Sequence, residues 1–255
     1  MRKICLTVEY DGTNYCGYQM QSNVMTIQQE IESAIFRLCK EQVRTTAAGR
    51  TDAKVHALGQ VVSFFTSSNI PPEKFAVALN TKLPVDIRIR KSFLVNDDFN
   101  PRFDAISKLY RYLICTKKTD APGDCLLRNR AYIYNGQNLD IEQMKKACSI
   151  LEGEHDFASF CSSGSAVKTT VRNVTRFEVS ILKDPFFRND FLNFEVEANG
   201  FLYNMVRILV STVVEVGKGK IDLEKVENIL LSADRTQAPP PMPPQGLYLM
   251  KVDYN

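Results

Sequence analysis

The run ICLTVEY near the start alternates β-branched with polar positions and gives way to DGTN, which carries turn chemistry; the pattern predicts a strand and a loop. Thr26 stands where a helix cap belongs, with Gln29 three residues on. Ile27, Ile31, Ala34, Ile35 and Leu38 then fall on one helical stripe, which reads as core. After a loop over 48–55, the run at 59–65 predicts a second strand. Pro71 and Pro72 open a second helix with Phe75, Ala78 and Leu79 inward, and IRIRKSF predicts a strand with Arg88 and Arg90 on one face. The pattern lapses at DDFNP and restarts at KLYRYLIC, which divides the chain into 1–103 and 104–255. Asp140 with Gln143 caps a third helix carrying Met144, Ala147, Cys148 and Leu151; strands follow at 175–182 and 191–198, then an apolar helix over 199–215. The proline cluster APPPMPP at 238–244, directly before the alternating LYLMKV, reads as a stiff surface connection. Strands separated by single helices, twice over, predict an α+β fold of two sandwiches.

Composition narrows the classes. With 44% apolar and 24% charged residues the chain can bury a core, so intrinsic disorder is excluded. The most apolar stretch, 205–216, is broken by Arg207, Ser211, Thr212 and Glu215, and Glu9 and Asp11 interrupt any leader; a cytoplasmic protein with no membrane span is expected. Seven cysteines without a CxxC read as thiols, and His56 and His155 lie too far apart for a zinc site of usual spacing. The net charge of +3 is too small to mark a nucleic-acid binder. Residues 101–130, however, hold seven Lys or Arg (102, 108, 111, 117, 118, 128, 130) against Asp104, Asp120 and Asp124. With Phe103, Tyr110 and Tyr112 interleaved, this is either an RNA-facing strand region or a solvated strand face.

Two segments carry candidate chemistry. In the apolar stretch NGFLYNMVRILVSTVVE, Arg207 is the only cation. A guanidinium stays charged, so it must snorkel to an edge or meet a carboxylate. In AAGRTDAKVHALGQ, residues 47–60, Arg50, Thr51, Asp52 and His56 crowd a Gly-punctuated loop before a strand. That suits either a functional loop on a rigid scaffold or a turn in which the Asp bonds its own backbone.

GRTDAKVHA, together with EYDGTNYCGYQ, TIQQEIESAI, KLYRY, HDFASF, GFLYNMVRILVSTVVEVGKG and PQGLYL in order along nearly the whole chain, resembles the tRNA pseudouridine synthase A family. The resemblance implies two ferredoxin-like α/β-sandwich domains with mainly antiparallel sheets meeting at a central RNA-binding cleft. It implies a homodimer that isomerises uridine to pseudouridine at positions 38–40 of the tRNA anticodon stem-loop, with no cofactor and no metal. It assigns Asp52 as the essential carboxylate, Tyr110 as a ring stacked on the target base, and Arg207 as the ion-pair partner of Asp52. Arg50 would brace the space left by the everted base, and Gly246 and Leu247 would line the uracil pocket. His56 receives no role, since it could equally satisfy the loop's backbone.

Three departures stand out: Lys54 where the family has Gly, Tyr18 for its Trp and Ser211 for its Gly, a pattern that suggests a diverged paralogue. A Gly two residues after the acid implies positive φ or a close approach, so Lys54 either distorts the loop or finds a conformation open to L-residues, where its ammonium could meet RNA phosphate. A non-catalytic tRNA-binding relative is the competing reading. A thiol hydrolase using Cys161 with His155 is a third, weakened because nothing in HDFASFC resembles an orienting triad.

Overall fold

The computed structural model describes residues 1–116, 124–136, 138–164, 168–184, 186 and 189–255. Two units emerge, Met1–Ile106 with Tyr248–Asn255, and Ser107–Leu247. The expected boundary near 104 gave the closing strand to the second half. It belongs instead to the first, because it enters that unit's sheet.

In the first unit β1 (Arg2–Tyr10), α1 (Ile27–Cys39), β2 (Thr46–Ala47), β3 (His56–Thr66), α2 (Phe75–Asn80) and β4 (Ile87–Val95) follow the predicted alternation. β1 lies antiparallel between β4 and β3, and the C-terminal strand (Leu247–Asp253, β10 below) runs parallel to β3. The register sets Ile4 beside Phe64 and Leu6 beside Val62, so the period of two gives one continuous buried row. Thr26 caps α1 by accepting from the Gln29 amide, and Ile27, Ile31, Ala34 and Ile35 are buried while Leu38 stays half-buried. The two prolines begin a 3₁₀ turn rather than α2 itself. The inward residues of α2 are Phe75, Ala76 and Leu79, not Ala78, and Phe75 meets Phe64 edge-on.

The second unit contains β5 (Ser107–Thr116), α3 (Asp124–Leu127), β6 (Tyr132–Tyr134), α4 (Ile141–Ile150), β7 (Gly153–Asp156), β8 (Val171–Lys183), β9 (Asp190–Ala198), α5 (Met205–Gly217) and α6 (Leu223–Ser232), before β10. Its strand order is β5-β9-β8-β7, all antiparallel, with β6 parallel on β5. Tyr112, Phe194 and Val179 form one inward row across β5, β9 and β8, and Met144, Ala147 and Cys148 of α4, with Leu151 at its C-cap, are buried as predicted. Asp140 caps α4 through the Gln143 amide.

Two expectations need correction here. α5 starts at Met205, not at 199: Asn204 adopts left-handed backbone (φ 61), which ends the irregular segment before it, and of 199–204 only Leu202 is buried. Along β5 the basic, aromatic region at 101–130 does not present its rings and cations together, although before that strand the Arg102 guanidinium lies 5.4 Å from the exposed Phe103 ring. Alternation along β5 turns Tyr110 and Tyr112 inward and sends Arg111 to the opposite face, where it pairs with Glu195 at 2.5 Å. Lys117, Lys118 and Asp120 of that region lie outside the described residues, as does the side chain of Asp124.

No helix among the described residues is long and apolar enough to cross a membrane. Among them no disulfide is present, and no group of three or more His, Cys, Asp and Glu could hold a metal ion.

Candidate active site

In the first unit, the loop between β2 and β3 carries Arg50, Asp52 and Lys54, and backbone bonds to the segment after β1 and within the loop hold it. The segment after β1 grips it from below: Tyr18 N–H donates to the Thr51 carbonyl (3.0 Å) and Lys54 N–H to the Tyr15 carbonyl (3.3 Å). Within the loop the Val55 amide donates to the Asp52 carbonyl (3.2 Å), closing a tight turn. Two glycines let the chains approach. A Cβ on Gly12 would sit 2.0 Å from the Val55 carbonyl oxygen, and one on Gly17, which has φ +95, would lie 2.9 Å from the Thr51 carbonyl oxygen.

Lys54 takes φ 65, the left-handed region that a Gly would enter without strain. The chain accepts the cost of a lysine there, of order 1–2 kcal/mol, because backbone bonds on both sides fix the turn. The ammonium pays nothing further, since Lys54 and Arg50 are both exposed. Asp52 between them is partly buried.

His56, given no role from sequence, satisfies backbone: its Nδ1 accepts from the Gly12 amide at 3.1 Å, and its ring stacks on Tyr248 at 4.7 Å.

In the second unit, Arg207 lies on the first turn of α5. Its Nε donates to the Met242 carbonyl and its Nη1 to Asn204 Oδ1, each at 2.6 Å, while its own carbonyl accepts from the Met242 amide (3.1 Å). Asn204 is itself held by donating to Ser162 Oγ at 3.0 Å. Tyr110, only 8% exposed, packs edge-on against Phe201 with ring centres 5.0 Å apart.

Gly246 and Leu247 are buried where the chain passes β5. A Cβ at Gly246 would meet the Leu113 carbonyl oxygen at 2.7 Å and the Tyr112 ring at 2.8 Å, so this position needs glycine for space. Tyr112 in turn donates to the Pro243 carbonyl at 2.6 Å, and burial pushes its hydroxyl far above the usual phenol range.

The thiol reading finds no support in geometry. His155 Nε2 is hydrogen-bonded to the Glu152 carbonyl (2.7 Å), and Cys161 Sγ donates to the Ser162 carbonyl (3.5 Å).

Sequence reasoning missed the groups that hold the loop, Tyr10, Gly12, Gly17 and Gln60 in the first unit, and those that hold Arg207 in the second, Asn204 and the Met242 carbonyl. One signal was available for Gln60, a long polar residue directly before the apolar pair Val61 and Val62.

A family model described as tRNA pseudouridine synthase matches residues 6–104 and 147–255, and the chain belongs to that family of isomerases. Curated relatives named tRNA pseudouridine synthase A run the length of the chain. One from Syntrophomonas wolfei subsp. wolfei is 46% identical over 254 residues, covering 100% of this chain and 98% of its own. One from Caldicellulosiruptor bescii is 47% identical with both chains fully covered, and one from Clostridium botulinum is 42% identical, again with full coverage of both.

Proposed function

We propose that this protein isomerises uridine to pseudouridine in tRNA, at positions 38–40 of the anticodon stem-loop, with Asp52 as the nucleophile. The observation that carries the reading is the Asp52 loop, a carboxylate presented on backbone clamped from both sides and flanked by two exposed cations. Membership of the family supports it.

The chemistry suits a carboxylate. Asp52 adds to C6 of the uracil or to C1′ of the ribose, or steers proton loss to a glycal; the C1′–N1 bond breaks, the ring turns, C5 bonds to C1′ and any bond to Asp52 is released, the C5 proton leaves to solvent and N1 takes one up. Reactant and product are isomers, so the reading calls for no redox step, cofactor or metal. C5 and N1 of a stacked base are hard to reach, so the uridine must leave its stack, with Arg50 filling its place and Lys54 on phosphate.

Tyr110 stacks on the everted base and passes the C5 proton. Arg207 keeps Asp52 ionised and aimed, while Gly246 and Leu247 shape the uracil pocket. Each unit is read as a ferredoxin-like sandwich, and the protein as a cytoplasmic homodimer in which both subunits grip each tRNA.

The competing reading, a tRNA binder whose loop Lys54 has spoiled, is disfavoured by Lys54 itself: it takes the left-handed conformation and the turn closes around it. The deciding experiment is tritium release from tRNA carrying 5-labelled uridine. The expected result is release by the wild type and none by Asp52→Asn, which still binds tRNA. No release by the wild type on total cellular tRNA would overturn the proposal in favour of the binder.

A further inference from the structure

Behind the Asp52 loop sits a set of buried polar groups to which the mechanism gives no task. Tyr10 (2% exposed), Gln60 (0%) and Thr51 (6%) bring a phenol, a carboxamide and a hydroxyl into the apolar interior of the first unit. Each must find hydrogen-bond partners there or cost free energy, and apolar residues would fill the same space without that requirement.

Their bonds converge on two residues. Tyr10 Oη lies 2.7 Å from Thr51 Oγ1, and Gln60 Nε2 donates to the Gly49 carbonyl at 2.7 Å. Gln60 Nε2 also stands 3.5 Å from Tyr10 Oη. The carboxamide nitrogen can only donate, so the phenol accepts from Gln60, which leaves its own proton available for the bond to Thr51, where either oxygen can be the donor. Gly49 and Thr51 are the two neighbours of Arg50, and Thr51 directly precedes Asp52.

Thr51 is therefore held twice, by its hydroxyl from Tyr10 and by its carbonyl from the Tyr18 amide. Those two bonds fix the peptide plane from which the Asp52 side chain departs. The strand geometry that delivers Tyr10 is local too: the β1–β3 register shifts between Val8 and Tyr10, turning the end of β1 toward the loop. Burial holds the Tyr10 hydroxyl up at about 12, so it stays a donor throughout the neutral range.

We propose that Tyr10, relayed by Thr51 and braced by Gln60, is a positioning residue that sets the aim of Asp52 and Arg50 without touching the substrate. The inference rests on the assignment of Asp52 proposed above. A carboxylate displaced by an ångström loses reactivity while the surface that grips RNA is unchanged, so the effect falls on turnover and not on binding.

The test is single-turnover pseudouridine formation in a tRNA transcript, with tRNA affinity from filter retention and thermal unfolding followed alongside. Tyr10→Phe and Thr51→Val are each expected to slow turnover at least about tenfold with tRNA affinity within about twofold. Thr51→Ser, which restores the hydroxyl, recovers most of the rate. The double variant falls no further than the slower single one, because both remove the same bond.

Wild-type turnover in both single variants, or losses that multiply in the double, would overturn the proposal, as would a lowered melting temperature with rate intact. If Tyr10→Phe does not fold, the Thr51→Val and Thr51→Ser pair decides alone. Asp52→Asn separates the two levels: turnover by that variant defeats the assignment of Asp52. A dead Asp52→Asn beside fully active Tyr10→Phe and Thr51→Val defeats only this inference.

Discussion

Gly12→Ala probes whether the segment after β1 governs the reactive loop. The added methyl would lie 2.0 Å from the Val55 carbonyl oxygen, where ordinary contact starts at 3.4 Å, so the two backbones must separate by about 1.4 Å. Residue 12 cannot yield easily. Its amide is bonded to His56 Nδ1, its carbonyl accepts from Tyr15, and the preceding Asp11 amide is tied to the Asp86 carbonyl. Val55 yields instead and, through its bond to the Asp52 carbonyl, carries the turn with it. Overpacking of this kind costs about 1–3 kcal/mol. At roughly 2–4 °C per kcal/mol for a chain of this size, the melting temperature drops by about 2–12 °C. Displacing the carboxylate by around 1 Å costs on the order of 100-fold in turnover.

Circular dichroism gives the melting temperature and tritium release gives the rate, measured well below the transition. Gly219→Ala is the control. Gly219 has φ +68 but nothing within 4 Å of its would-be Cβ, so alanine strains the backbone by about 1 kcal/mol and leaves turnover alone. A Gly12→Ala protein that turns over at the wild-type rate would show that the loop is not steered from this side.

Arg207→Met should cost far more activity than Arg207→Lys, which keeps the charge but not the fork that reaches both Met242 and Asn204; equal losses in the release assay would count against a charge role. Lys54→Gly should retain turnover, and if the ammonium neutralises a phosphate, the log–log salt dependence of tRNA affinity becomes shallower by roughly 0.7–0.9; an unchanged slope removes Lys54 from the RNA contact. Burial alone would raise the Glu195 carboxyl, but the hydrogen bond from Arg111 and the charges of Arg111 and Arg176 outweigh it and hold the group below the usual glutamate range. Its contribution is therefore full above the unfolded value of about 4.3 and is lost as pH falls through the lower folded value. Urea midpoints of wild type and Glu195→Gln should accordingly converge between pH 6 and pH 3, and a constant gap refutes the pairing. Asp140→Ala removes the cap of α4 and should cost about 1 kcal/mol in thermal unfolding.

Periodicity located most of the secondary structure because the strands of each unit bury one face. Thr26 and Asp140 marked helix starts correctly, since capping is a local matter between residues three apart. α6 went unread although Val226, Ile229 and Leu230 are spaced for one buried face and Asp222 caps it; the segment is short and most of its residues are polar or exposed. The candidate site was legible through short motifs, but not through what holds them. Tyr10 and Thr51 are 41 positions apart, and Arg207 and Met242 35 apart, so only the folded chain discloses those bonds. Lys54 lies between these cases: a family glycine implied positive φ from sequence, and the backbone supplies it.

The proline run carries one more consequence. Five of the six residues from Pro239 to Pro244 have no amide hydrogen, so Met242 offers the stretch's sole main-chain donor, and it is spent on the Arg207 carbonyl. A segment with a single tooth can engage its rack in one way only. Deleting one proline would leave that tooth a notch out of step, and the tail would reach β10 with the wrong residues facing inward.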